Sequence, residues 1–203
     1  MSEPQETLAL LDYRRATSDL YSRVRQNPAD EDSWKNWRYG RDDLFATHSQ
    51  SALNVENIEG FAGLPFFDYE PTWRIHAKVE PVAPQELSIV HSDREFTPVR
   101  RFAQATFEVE GEELSLALYW LDSYGGGIFL PFRDGTSGKE TYGGGRYLLD
   151  TVKGADLGHD GDLILLDFNY AYHPSCVHSD RWSCPLAPPE NHLDLRITAG
   201  ERL

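Results

Sequence analysis

The chain has 203 residues, of which 40% are hydrophobic and 12% aromatic, so it can bury one substantial core and is not a disordered polymer. Its net charge of -14 and pI near 4.8 repel phosphate backbones and anionic leaflets, which argues against nucleic acid and membrane as partners. No apolar run approaches the ~20 residues needed to span a bilayer.

Met1-Ser2-Glu3-Pro4 opens with a carboxylate and a proline rather than a basic, apolar, small-residue leader, so a cytoplasmic location is expected. Residues 5–26 read as a helix, with Leu8, Leu11, Arg15, Leu20 and Val24 at roughly helical spacing. Asn27-Pro28 ends it, because proline disfavours helical geometry at the residue before it. Asp30 or Asp32 can cap a second helix running to about Ala46, with Trp34, Trp37, Leu44 and Phe45 as its apolar stripe. This two-helix arm, residues 1–46, must lie against something, either the rest of the chain or a second copy, and a homo-oligomer through the arm is one expectation.

After Thr47 the texture changes to short β-branched and aromatic runs separated by turn residues. Strands are predicted near Trp73–Val79, Leu87–His91, Phe102–Val109, Glu113–Leu121, Ile128–Phe132, Arg146–Asp150, Leu163–Phe168 and Leu193–Thr198. Glu110-Gly111-Glu112 reads as the turn of a hairpin. The expected fold is mainly β (α+β): an antiparallel β-sandwich or barrel-like sheet spanning 47–203, with the helical arm, in one domain of residues 1–203. Fifteen of the nineteen basic residues are Arg; a GC-rich genome or adaptation to high salt would each produce that bias.

Two stretches exceed ordinary strand and turn chemistry. The first, Tyr124 to Tyr147, is glycine-rich. Its Ser137-Gly138-Lys139 is not a phosphate loop: the required first glycine would fall at Arg133, and Glu140 replaces the hydroxyl after the lysine. It reads as a long hairpin loop using glycine for unusual backbone geometry, or as a pocket rim in which Arg133 and Arg146 hold an anion.

The second stretch, Asp167 to Asn191, is too long and too rich in Tyr, Trp and Pro to be idle. It is a rigid pocket wall or a plug at the end of a barrel. Its Cys176 and Cys184 read first as small buried hydrophobes. Cys176 is the one candidate nucleophile, if a base lies beside it. His173, Cys176, His178 and Cys184 have the ligand chemistry for zinc but not its usual spacing, so no metal is favoured. A Cys176–Cys184 disulfide is sterically allowed but disfavoured in the cytosol. Glu190-Asn191, after a double proline, binds backbone at the loop base or orients a ligand.

Linked motifs then give a resemblance. They include Trp37, Arg41-Asp42, His48-Ser49, Phe61-Ala62-Gly63-Leu64, Phe67, Leu130-Pro131-Phe132-Arg133-Asp134, Thr136-Ser137-Gly138 and Glu140-Thr141-Tyr142. They continue through Gly145-Arg146-Tyr147, Asp167-Phe168-Asn169-Tyr170-Ala171-Tyr172, Cys176, Cys184-Pro185-Leu186, Pro189-Glu190-Asn191 and Ala199-Gly200-Glu201. The chain resembles domain-of-unknown-function family 1684 (DUF1684) of bacteria and archaea. His173-Pro174 departs from the family's frequent Asn-Pro, which further weakens the four-ligand metal set. The resemblance implies no activity and no cofactor, but it implies that the two unusual stretches belong to one scheme and meet in space.

The expected function is therefore a small-molecule binding or catalytic pocket between these stretches. Its ligand-binding candidates are Arg133, Asp134, Tyr142, Arg146, Asn169, Tyr172, Glu190 and Asn191. The alternatives are a non-catalytic scaffold module, and metal or thiol chemistry at Cys176 and Cys184.

Overall fold

The computed structural model describes residues 2–27 and 29–203; Pro28, expected to end the first helix, lies outside the described residues. Helix α1 spans Glu3–Gln26 and α2 spans Glu31–Thr47, and a single turn, α3, covers Val55–Ile58. Of the two candidate caps for α2, Asp30 takes the role, accepting from the Ser33 N–H at 2.9 Å. Helices α1 and α2 bury Leu20, Tyr21, Val24, Trp34, Trp37 and Phe45. The first half of α1 departs from its expected stripe, since Leu8 and Leu11 are 60% and 50% exposed. No helix among the described residues is long and apolar enough to cross a membrane.

The β-strands are β1 Arg74–Val90, β2 Phe96–Val109, β3 Glu112–Leu121, β4 Ile128–Phe132, β5 Arg146–Asp150, β6 His159–Asp160 and β7 Leu163–Asp167. They form one seven-stranded antiparallel sheet in the order β5-β4-β3-β2-β1-β7-β6, which does not close. One bridge links edge strand β5 to the segment that follows β7: Tyr147 and Tyr172 exchange both backbone hydrogen bonds, at 2.8 and 3.1 Å.

The β2–β3 hairpin turns on Glu110 and Gly111, with φ of +54° and +83°, so both central residues are left-handed and the strands keep their natural twist. Strand β1 merges two strands expected separately. Pro81 and Pro84, between those two expected strands, sit at a register shift between Pro81 and Gln85, where a missing N–H interrupts no regular ladder.

Both faces of the sheet are covered. On β3, Ala117 and Tyr119 face the helical layer with Trp37 and Phe45, while Leu116 and Leu118 face a second core with Phe132, Phe168, Leu193 and Ile197. The segment Leu193–Thr198, expected as a strand, makes no ladder. Leu193 N–H donates to the Arg133 carbonyl, Gly135 N–H to the Leu195 carbonyl, and Ile197 N–H to the Asp134 carboxylate at 2.7 Å. The Arg146 guanidinium donates to the carbonyls of Ile197, Ala199 and Glu201. Isolated backbone bonds and the side chains of Asp134 and Arg146 thus replace the regular ladder that a neighbouring strand would have made.

Candidate functional site

The proline-rich loop runs from the end of β7 across both the β1–β2 turn and the β4–β5 connection. Leu186 N–H donates to Val90 O, Ser92 N–H to Cys184 O, Ala187 N–H to Gly144 O, and the Tyr147 hydroxyl to Pro185 O. The two unusual stretches are therefore neighbours. Between them lies a cleft of about 490 Å³ lined by Arg133, Tyr142, Gly143, Gly144 and Leu186 through Pro189, with Ser88 to Val90 as its third side.

A larger cleft, about 600 Å³, opens on the other flank of the same loop. Tyr147 and Phe129 form its aromatic floor; Trp182 and Cys184 come from the loop, and Leu10 and Tyr13 from α1. Polar groups converge there. His91 holds Thr97 at 2.6 Å through Nε2 and Ser183 at 3.0 Å through Nδ1, and Lys153 pairs with Asp150 at 2.7 Å. Burial alone would lower the Lys153 pKa, but the Asp150 carboxylate reverses the direction and raises it.

The eight ligand-binding candidates divide sharply. Arg133 and Tyr142 line the smaller cleft. Arg146 and Asp134 are buried together at 3.5 Å and are occupied by the C-terminal segment, as described above. Asn169 exchanges hydrogen bonds with the Glu70 backbone in both directions, each at 2.9 Å, and its carbonyl accepts from Trp34 Nε1. Glu190 accepts from the Tyr119 hydroxyl at 2.8 Å; burial and this bond push the Tyr119 pKa up. Tyr172 is buried in the helical core, and desolvation raises its pKa well above the ordinary value.

Asn191 is fully buried and fills a gap in the sheet. Strands β3 and β4 pair directly at Tyr119–Phe129 and Trp120–Ile128. Beyond that point the Asn191 amide stands in for the missing pairs: it accepts from Ala117 N–H at 2.7 Å and donates to the carbonyls of Ala117 at 3.0 Å and Pro131 at 2.8 Å.

The four candidate metal ligands separate into two pairs. His173 and His178 face the buried carboxylate of Glu201, at 3.6 and 3.2 Å. Cys176 and Cys184 face each other, with the Cys176 N–H donating to Cys184 Sγ at 3.3 Å. No cluster of three or more His, Cys, Asp or Glu suited to a metal occurs among the described residues.

Glu201 also accepts from Arg41 at 2.9 Å and from the His173 N–H at 3.1 Å. Burial would raise its pKa, but Arg41 and the two histidines hold it well below the usual carboxylate range. Arg41 in turn lies over the rings of Phe45 and Tyr172, at 4.9 and 4.8 Å.

The thiol pair has a distinct electrostatic setting. Hydrogen bonds from Cys184, Ser92 and Tyr142 lower the Cys176 pKa to about 6, against the opposing effect of burial. Those same contacts, with burial, push Cys184 and Tyr142 upward.

A family described as "Protein of unknown function (DUF1684)" matches residues 59–202. The chain belongs to this family. Among solved structures, the chain is similar to the solution NMR structure of an uncharacterized protein from gene locus rrnAC0354 of Haloarcula marismortui. The two are 37% identical, with a TM-score of 0.61, over 85% of this chain and 94% of the other. No curated protein matches. The family match takes in both unusual stretches and the thiol pair, whereas Leu10, Tyr13 and Gln50 of the larger cleft lie before it.

Sequence reasoning missed the larger cleft and the Glu201 cluster. His91 stands at the end of an expected strand and Lys153 is one of only four lysines, but neither fact points to a cleft. The contacts that make these sites span 92 residues from His91 to Ser183 and 160 from Arg41 to Glu201.

Proposed function

We propose that this protein binds a small, predominantly apolar organic molecule in the 600 Å³ cleft between α1, the β1–β2 turn and the proline-rich loop. One observation carries the proposal: a concave, aromatic-floored space in which a few fixed polar groups converge, the common form of small-molecule sites. His91 is held from both sides and presents a fixed edge to a ligand. Tyr147 and Trp182 offer ring faces or edges. The net charge of -14 favours neutral or cationic ligands over anionic ones.

The test is a ligand-observed NMR screen of small aromatic and aliphatic compounds against the full chain. Val152, at the cleft and 41% exposed, provides the control. Val152→Trp should abolish the binding of true cleft ligands, while Tyr124→Ser, at a fully exposed turn, should leave it unchanged. Binding insensitive to V152W, or no binding at all, would sink the proposal.

A second reading, a scaffold module pairing through residues 1–46, draws support from the exposed Leu8 and Leu11 of α1. Deleting the arm would not test it, because Trp34, Trp37 and Phe45 belong to the core. The test is a Leu8→Glu, Leu11→Glu double variant. Sedimentation showing a dimer that this variant dissociates supports pairing, and a monomeric parent chain rejects it.

A further inference from the structure

The thiol pair lies in the partition between the two clefts: Cys184 lines the larger one and Tyr142 the smaller. Its geometry is fixed independently of any ligand. Ser92 clamps Cys184 from both sides of its backbone, donating its N–H to the Cys184 carbonyl at 3.0 Å and accepting from the Cys184 N–H through Oγ at 3.3 Å. Tyr142 is positioned by its N–H donating to His173 Nε2 at 3.1 Å. Cys176 sits in a single helical turn, Ser175–Val177, directly after Pro174, with its own N–H on the partner sulfur. Cys176 is half-buried and Cys184, at the wall of the larger cleft, is buried.

We propose that Cys176 and Cys184 form a dithiol–disulfide couple oxidised by hydroperoxides, with Cys176 the attacking sulfur and Cys184 the resolving one. The Cys176 thiolate attacks one oxygen of ROOH, the O–O bond breaks, and the other oxygen leaves as ROH after taking a proton. Cys176 is then a sulfenic acid. Cys184 gives up its proton, its sulfur attacks the Cys176 sulfur, and the hydroxyl departs as water. Two thiols and one hydroperoxide thus yield one disulfide, one ROH and one water. A dithiol reductant returns the pair to its starting state by exchange.

Two features make the asymmetry chemical, and a third is one of placement. The donors around Cys176 stabilise its anion, which is the reactive form. Cys184, with its pKa raised, stays protonated and waits for the sulfenic acid. The two residues are eight apart in a proline-stiffened loop, so the resolving sulfur is already in place. The couple stands whether or not the larger cleft holds a ligand, although oxidation would stiffen one wall of it.

The experiment uses the reduced full chain with stoichiometric hydrogen peroxide. Both thiols should disappear with the loss of two hydrogens, and peptide mapping should recover a Cys176–Cys184 crosslink that dithiothreitol reverses. In Cys184→Ser the reaction should stop at a sulfenic acid on Cys176, trapped by dimedone. In Cys176→Ser, Cys184 should react no faster than a protected thiol.

The pH profile of iodoacetamide alkylation provides a readout that packing alone would not move. Cys176 should show an inflection at about pH 6, which Tyr142→Phe should raise. At pH 6 such a thiol is about half ionised, against about 0.3% for free cysteine. The weaker nucleophilicity of the more acidic sulfur removes roughly a tenfold factor, leaving Cys176 about tenfold faster than free cysteine at that pH. A profile that tracks free cysteine, crosslinks between chains only, or first attack at Cys184 would overturn the proposal.

Discussion

Replacing Asn191 separates its role in the sheet from a role in holding a ligand. Asn191→Ala leaves one buried donor, Ala117 N–H, and two buried acceptors, Ala117 O and Pro131 O, without partners. Each unsatisfied buried group costs about 1–3 kcal/mol, and the two carbonyls fall at the low end because oxygen tolerates such a loss better. The expected loss is about 3–6 kcal/mol, a large share of the ~5–15 kcal/mol that holds a typical domain together.

Urea unfolding followed by the fluorescence of the five tryptophans is the assay. With a slope of about 2 kcal/mol per molar, the midpoint should drop by roughly 1.5–3 M. Asn191→Asp sharpens the test. It keeps the acceptor for Ala117 N–H but sets a charged oxygen against two carbonyls, so its folded pKa must lie above the unfolded value. Its penalty is therefore largest at neutral pH and is relieved as the pH falls and the carboxyl becomes a donor. A loss below about 1 kcal/mol for N191A, with no pH trend for N191D, would refute the structural role and return Asn191 to the ligand-binding candidates.

Two further predictions concern the buried polar framework. Glu201→Gln leaves Arg41 buried beside a neutral amide and should cost about 3–5 kcal/mol at pH 7, measured by the same unfolding curves. Because the folded-state pKa of Glu201 is depressed, its contribution is complete above the ordinary glutamate value of about 4.3 and fades as pH falls through the lower folded one. The parent chain should thus lose stability with acid more steeply than E201Q. Gly145→Ala should lower the melting temperature sharply: φ is +101°, and a Cβ there would lie 2.5 Å from the Phe132 carbonyl oxygen, which belongs to a buried strand and cannot yield.

What the sequence disclosed was what local chemistry decides. The Asp30 cap and the Glu110-Gly111 turn are legible because cap and turn preferences act over a few residues. The continuity of β1 was hidden because Pro81 and Pro84 signal a break to any local reading, and only the paired strand reveals the register shift that accommodates them. Leu193, Leu195 and Ile197 alternate as a strand would, yet the Asp134 carboxylate and the Arg146 guanidinium hold that segment in place without a ladder. The meeting of the glycine-rich and proline-rich stretches was expected, and Ala187 on Gly144 carries it out. The roles of the polar residues within them were not legible. An arginine in a pocket and an arginine holding backbone carbonyls look alike until their partners are known.

The pairing of Arg41 with Glu201 has a consequence for biogenesis. Some 160 residues separate the two, so the helices that carry Trp34, Trp37 and Phe45 leave the ribosome long before their counter-charge is synthesised. During that interval the guanidinium lacks its counter-charge and the three large rings have only nearby rings such as Tyr21, Phe61 and Phe66 to pack against, while the loop to be closed spans 160 residues. Production of this protein should therefore respond strongly to the supply of general chaperones and to translation speed, even though the finished molecule hides every one of those groups.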